Sequence, residues 1–285
     1  MARNTIKAAE IIIPGDLTDA ESPPLLKWWY SGPKARGYMC RRRAEEVVAA
    51  LADAPADSLI LDLGSSWGLA ALTATQNGYR AVALDIVEDD LRAGAKIARA
   101  NGLAVWFVRG DAAAMPFRDG SFSTIVSAET VEHVFLPDRP KAFQEMARVL
   151  KNGGALSIST PNPRSPAEFF KRVALKFPAV GKLLRYTHMP AGLTSRNQYH
   201  PHRYHEPFTR AGLKAALLNA GFRICEIRLA LLMYKYCPDA LYRLARYAEW
   251  VWEKTPFLKN TCMTVVVTAL KPPAAAPSPP PPSCI

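Results

Sequence analysis

From Leu59 onward the chain repeats one pattern: a short apolar run closed by a carboxylate, a turn of small residues, then apolar positions spaced three and four apart. LILD (59–62) leads through LGSSWG into LAALTATQ, AVALD (81–85) into EDDLRAGAKIARANG (88–102), and AVWFVRGD (104–111) into a turn-rich stretch. Uninterrupted apolar runs bounded by Gly read as strands buried on both faces. Their alternation with helical periodicity implies an α/β protein whose mostly parallel sheet has helices on both sides. The helix over 88–102 opens with Glu88, Asp89 and Asp90 and closes on Arg99 and Gly102, complementing the helix dipole at both ends. AFQEMARVLKNGG (142–154) repeats that device, with Lys151 near its end and Gly153 past it. FTRAGLKAALLNAGF (208–222) predicts a helix with Thr209 as N-cap and Gly221 past its end. A strand near Ile224 to Leu231 and a final strand in CMTVVVTAL (262–270) follow.

The flanking segments break this rhythm. Residues 1–37 are rich in Pro and turn formers and form an N-terminal extension, in which Trp28, Trp29 and Tyr30 are expected to pack over a pocket or core edge. Helical spacing runs from Tyr38 to Ala52, with Arg41, Arg42 and Arg43 beside an apolar face of Val47, Val48 and Leu51; the arginines read as a solvated face or a phosphate contact. After the core at 38–162, the alternation stops over 163–207. Over 164–205, Arg164, Lys171, Arg172, Lys176, Lys182, Arg185, Arg196 and Arg203 stand against the single acid Glu168, interleaved with Phe169, Phe170 and Phe177. An insertion after the fifth strand lies at the ligand end of the sheet, so a basic and aromatic lid over an acceptor is expected. Within 208–271, the helical stretch Asp239–Lys254 places Leu241, Leu244, Ala245, Ala248, Val251 and Trp252 on a face expected to pack on core or lid, with contact to a membrane surface as the alternative. Arg243, Arg246, Glu249 and Glu253 fall on another. The tail at 272–285, almost all Pro, Ala and Ser, is expected to be disordered.

Composition narrows the ligand classes. The formal charge of +11 attracts anions, leaving RNA, acidic lipid headgroups and anionic small molecules as partners and giving no oligomeric state. Cys40, Cys225, Cys237, Cys262 and Cys284 are scattered without a CxxC pair, which disfavours a zinc site or a disulfide framework and points to a reducing, cytoplasmic setting. No stretch has the roughly 18 apolar residues of a spanning helix, so membrane contact is expected to be peripheral at most.

The strand-end carboxylates choose among nucleotide ligands. Gly64, Ser65, Ser66 and Gly68 allow close backbone approach, but Asp62 at the strand end would repel the pyrophosphate of a dinucleotide, and the loop lacks GxGxxG. A cationic ligand with an amino group and a ribose fits better: S-adenosylmethionine. Asp85 then faces ribose hydroxyls, Asp62 the methionine amino end or its loop, and Asp111 the adenine amine, with Met115 packing nearby.

At this point the sequence resembles the class I (Rossmann-like) S-adenosylmethionine-dependent methyltransferases. DLGSSWG, VALDI, RGDAAAMPFRDGSFSTIVSAETVEHV and ARVLKNGGALSISTPN carry the resemblance closely over 59–162, and 208–270 carry it more loosely. Ser66 stands where the family usually has Gly. The resemblance implies a doubly wound sheet, mostly parallel with one antiparallel strand. It also implies a cofactor pocket formed by Asp62, Gly64, Ser65, Ser66, Gly68, Asp85, Ile86, Asp111, Ala112, Met115 and Glu129.

Methyl transfer to a hydroxyl needs a route for its proton, which draws attention to Glu129, Glu132, His133 and the HPHRYH run with His200, His202 and His205. Spacings of three and four put Glu129, Glu132 and His133 on one helical face, a half-site for a divalent ion. ExxEH, then TPN, then a His-containing stretch before FTR is similar to the coenzyme Q O-methyltransferases and the small-RNA 2′-O-methyltransferases. That likeness implies Mg2+ on Glu129, Glu132 and His133, with His202 or His205 as a further ligand. Without a metal, His133, His202 and His205 are the candidate bases. The sequence therefore predicts O-methylation of a small or lipid-like acceptor, with RNA methylation or non-catalytic cofactor binding as alternatives.

Overall fold

The computed structural model describes residues 11–17, 26, 33–55, 57–177, 204–232 and 237–273. The aromatic cluster at 28–30, most of the expected lid, His200, His202 and nearly all of the Pro-rich tail lie outside them.

Seven strands form one sheet: β1 Leu59–Leu63, β2 Arg80–Asp85, β3 Val105–Arg109, β4 Phe122–Ala128, β5 Leu150–Pro161, β6 Arg223–Ala230 and β7 Thr264–Leu270. Their order is β3-β2-β1-β4-β5-β7-β6. β1 to β5 run parallel, and β7 enters antiparallel between β5 and β6. Among the described residues the helices are α1 Lys34–Val48, α2 Leu69–Gln76, α3 Glu88–Ala100, α4 Arg139–Val149, α5 Pro166–Lys176, α6 Arg210–Asn219 and α7 Tyr242–Lys254.

Strand side chains alternate between two apolar layers, as the period-two geometry of a strand requires. Ile60 joins a layer with Val47 and Leu51, with Ala71 and Leu72 of α2, and with Ile97 of α3. Leu61 and Leu63 join the opposite layer, with Phe143 and Met146 of α4 and Leu213 and Leu217 of α6. The order reverses at β1, whose neighbours are β2 and β4. This is the place where open parallel sheets leave a crevice beyond the strand ends.

Four expectations are corrected by packing. The first helix starts at Lys34 rather than Tyr38, the Arg36 N–H donating to the Pro33 carbonyl at 2.9 Å and the Lys34 N–H to Asp239; it ends at Val48 in a 3-10 turn over Ala49–Asp53. The fourth helix stops at Val149. Leu150 turns extended with ψ 137° and pairs with Phe122, so Lys151 and Gly153 belong to β5 instead of a helix end.

The last helix buries only part of its expected face: Ala245 packs against the cluster of Tyr38 and Met39, and Ala248 and Trp252 are half-buried. Leu241, Leu244 and Val251 are exposed, whereas Glu249 is 2% exposed and accepts hydrogen bonds from the Tyr38 hydroxyl and the Leu232 N–H. The arginine run is likewise not a free solvated face. Arg42 pairs with Glu46 at 2.9 Å and Glu253 at 3.5 Å, and Arg43 pairs with Glu129 at 3.1 Å.

Gly64, at φ +67°, leaves no room for a side chain: an added Cβ would lie 1.9 Å from Thr130 Cγ2. Gly78 has φ +88° with open space around it. Gly64→Ala is therefore expected to lower unfolding stability by about 3 kcal/mol and Gly78→Ala by only about 1 kcal/mol, read by urea denaturation.

Candidate active site

The loop after β1 is stapled to β2. The N–H groups of Gly64 and Ser65 donate to the Leu84 carbonyl at 2.8 and 3.0 Å. Ser66 has φ +49°, a left-handed conformation that is strained for a residue with a side chain. Two hydrogen bonds hold it there: its N–H donates to Asp85 Oδ2 at 2.7 Å and its hydroxyl to Asp90 Oδ2 at 2.7 Å. Asp85 Oδ1 accepts the Val87 N–H at 2.9 Å, so one carboxylate joins the loops after β1 and β2.

Asp62 is buried, and its Oδ2 accepts the Ala71 N–H in the first turn of α2 at 2.9 Å. Burial pushes its pKa up to about 7; the Ala71 hydrogen bond opposes this and the charge of Asp85 adds to it. Asp111 closes its own turn, accepting the Ala113 N–H at 2.9 Å. Met115 is buried beside it, Ala112 packs at the edge of the core, and Ile86 is exposed. The structure thus joins Ser66, Asp85 and Asp90 in one network after β1 and β2, with Asp62 bonded separately to α2 at the end of β1, near enough to feel the charge of Asp85.

A second cluster lies beyond β4. Ligand atoms of Glu132, His133 and His205 fall within 4.8 Å of one another, and the two imidazoles meet edge to face with centroids 5.3 Å apart. Glu132 is fully buried; Oε2 accepts the Thr160 hydroxyl at 3.0 Å, and among the described residues Oε1 has no hydrogen-bond partner. Burial, then the neighbouring Glu129, raises the Glu132 pKa well above the carboxylate range.

Glu129, at φ +54°, points elsewhere, into its 3.1 Å pair with Arg43. The four-ligand set implied by resemblance is therefore a cluster of three beside a separate ion pair. Its orphan carboxylate oxygen and two imidazoles are a donor set that fits a divalent ion.

Sequence reasoning missed Glu168 and Lys171 of α5. Glu168 Oε2 lies 3.6 Å from His205 Nε2, and Lys171 Nζ, paired with Glu168, lies 3.4 Å from the same nitrogen. Burial would raise the Glu168 pKa, but His205 and Lys171 outweigh it and bring it down to about 2. The available signal was misleading: SPAE reads as a capping box, and Ser165 does accept the Glu168 N–H at 3.3 Å.

The family profile described as "Methyltransferase domain" matches residues 61–158. A demethylmenaquinone methyltransferase of Thermus thermophilus is 32% identical over 190 residues, covering 65% of this chain and 81% of the relative. The chain belongs to the class I S-adenosylmethionine-dependent methyltransferases.

Another relative of this methyltransferase, a ubiquinone biosynthesis O-methyltransferase of Xanthomonas axonopodis, is 28% identical over 70% of this chain and 77% of its own. An uncharacterized protein of Mycobacterium tuberculosis is 30% identical over 99 residues, and the chain spans about a third of that relative's length, 35%. The fold alone matches a methyltransferase structure from Methanosarcina mazei, with TM-score 0.54, 21% identity and coverage of 77% of this chain and 94% of that one.

A carboxyl with a raised folded-state pKa binds its proton more tightly folded than unfolded, so it contributes stability at low pH that is lost as pH rises. Without added metal, Glu132→Gln is expected to gain stability relative to the native chain between pH 4.5 and pH 8, read by thermal melts across pH. A constant difference across that range would overturn the assignment of Glu132 as an uncompensated buried acid.

Proposed function

We propose that this methyltransferase carries the methyl group of S-adenosylmethionine to an oxygen of a small or lipid-like acceptor; the names of two relatives support a quinone-like acceptor, and that of the ubiquinone biosynthesis O-methyltransferase supports oxygen as the accepting atom. One observation carries the reading: Asp62 at the end of β1 and the Ser66–Asp85 hydrogen bond after β1 and β2 stand at the same sheet edge as Glu132, His133 and His205. The first is suited to an adenosyl cation and the second to an acceptor proton.

In this reading Asp85 receives the ribose hydroxyls while keeping the loops together, and Asp62 sets the turn that faces the methionine end. Asp111, with Ile86, Ala112 and Met115, borders the adenine. Transfer from a sulfonium is an in-line displacement, so the chain supplies alignment, a dry pocket and a base. His133 and His205 are the candidates to take the hydroxyl proton, and Glu168 orients the His205 ring through Nε2. Mg2+ on Glu132, His133 and His205 would polarise the acceptor hydroxyl.

Incubation with methyl-labelled cofactor and phenolic or quinol acceptors is expected to label the small molecule; label found only in RNA would overturn the acceptor class. Asp85→Ala is expected to weaken cofactor binding by about tenfold or more, equivalent to about 1.4 kcal/mol, in a calorimetric titration. Unchanged affinity would remove Asp85 from the pocket. Loss of turnover on adding a chelator is the expected result for the metal-assisted form; unchanged turnover leaves a histidine base alone.

A further inference from the structure

Helix α7 is held to the body through its acids. Glu249 accepts from the Tyr38 hydroxyl and from the Leu232 N–H at 2.9 Å, and Glu253 accepts the Leu231 N–H at 2.8 Å and pairs with Arg42. These bonds fix its rotation and turn its large apolar groups outward. Leu244 is 65% exposed, Tyr247 64% and Trp250 53%, while Phe257 just past the helix end is 90% exposed. Spaced three apart, the first three make a continuous stripe, and an exposed stripe of this size marks an interaction surface.

A groove of about 560 Å³ opens beside the stripe, lined by Lys34, Tyr242, Arg243, Arg246 and Tyr247. Among the described residues no carboxylate forms an ion pair with the side chains of Lys34, Arg243 or Arg246. Asp239, at the head of the helix, accepts the backbone N–H of Lys34 at 2.8 Å. Tyr247 and Trp250 are stacked at 6.0 Å, and Lys254 lies 4.2 Å over the Trp250 ring.

The combination selects the occupant. A free anion would use the groove and leave the stripe without a role. A second copy would bring like basic grooves together in a chain already at +11. Nucleic acid would engage the cations and rings but not Leu244. Basic residues, interfacial Trp and Tyr rings and an aliphatic side chain on one helix face match a helix lying in the headgroup plane. No described helix is long and apolar enough to cross a membrane.

We propose that α7 docks the protein on an anionic phospholipid surface, the groove receiving a headgroup phosphate while Leu244, Tyr247, Trp250 and Phe257 enter the acyl boundary. This docking needs neither cofactor nor acceptor, so it stands apart from the methyl-transfer reading.

The test is co-sedimentation of the full chain with vesicles of phosphatidylcholine, alone or mixed with phosphatidylglycerol. Binding to the mixed vesicles that weakens with salt is expected, with little binding to neutral ones. Arg243→Glu with Arg246→Glu, and separately Leu244→Ser with Trp250→Ser, are each expected to weaken it by roughly tenfold or more. Circular-dichroism melts check that each variant folds; because Arg246 lies 4.8 Å over the Tyr38 ring that anchors α7, Arg243→Glu alone is the further variant, expected to weaken binding with a native melt. Equal binding to both vesicle types, or no loss in either variant, would overturn the proposal. So would competition by inorganic phosphate without vesicle binding, retention on RNA alone, or a dimer abolished by Leu244→Ser with Trp250→Ser in the absence of vesicle binding.

Discussion

Taking carboxylates out of water is the constraint on which this structure turns. A buried acid without a donor costs several kcal/mol, so each one here dictates where a neighbouring N–H or O–H must lie. Asp62 fixes the first turn of α2 through Ala71, Asp90 fixes the Ser66 hydroxyl, and Glu132 fixes Thr160. Glu249 fixes Tyr38 and Leu232 from the far end of the chain. The parallel sheet gathers several of these acids at one edge, where the loops between strands have backbone donors to give. The same requirement that keeps the fold together therefore shapes the crevice beyond the strand ends.

Much of this was legible because buried parallel strands carry their own punctuation. LILD and AVALD could be read as strands ending in acids without any partner being known, and the Gly102 and Gly221 helix ends follow from local backbone geometry alone. Both glycines do adopt positive φ, +65° and +87°. The end of α4 was harder. LKNGG has the composition of a helix terminus, and only the pairing of Leu150 with Phe122 shows that the chain has already become a strand.

What stayed hidden depends on contacts remote in sequence. Periodicity identifies two faces of α7 but is silent on which turns inward. Hydrophobicity favours Leu241, Leu244 and Val251, and the hydrogen bond from Tyr38 to Glu249, 211 residues apart, brings Glu249 inward beside Ala245 instead. Likewise ExxEH places Glu129 and Glu132 on one side of a turn, yet Arg43 of α1 draws Glu129 away and leaves His205 with Glu132 and His133. Glu168 was invisible for a different reason: its capping pattern offers a complete local explanation that conceals its second contact with His205.

Helix α1 is an unbroken rod of 15 residues, about 22 Å long. The segment from Asp239 to Glu253 grips it at Lys34, Tyr38 and Arg42, one turn apart along a single flank, and Glu129 grips it at Arg43 on the adjacent flank. One helix therefore carries the anchors of the C-terminal segment on one flank and that of the residue following β4 on the next, so both depend on the apolar layer that seats Val47 and Val48.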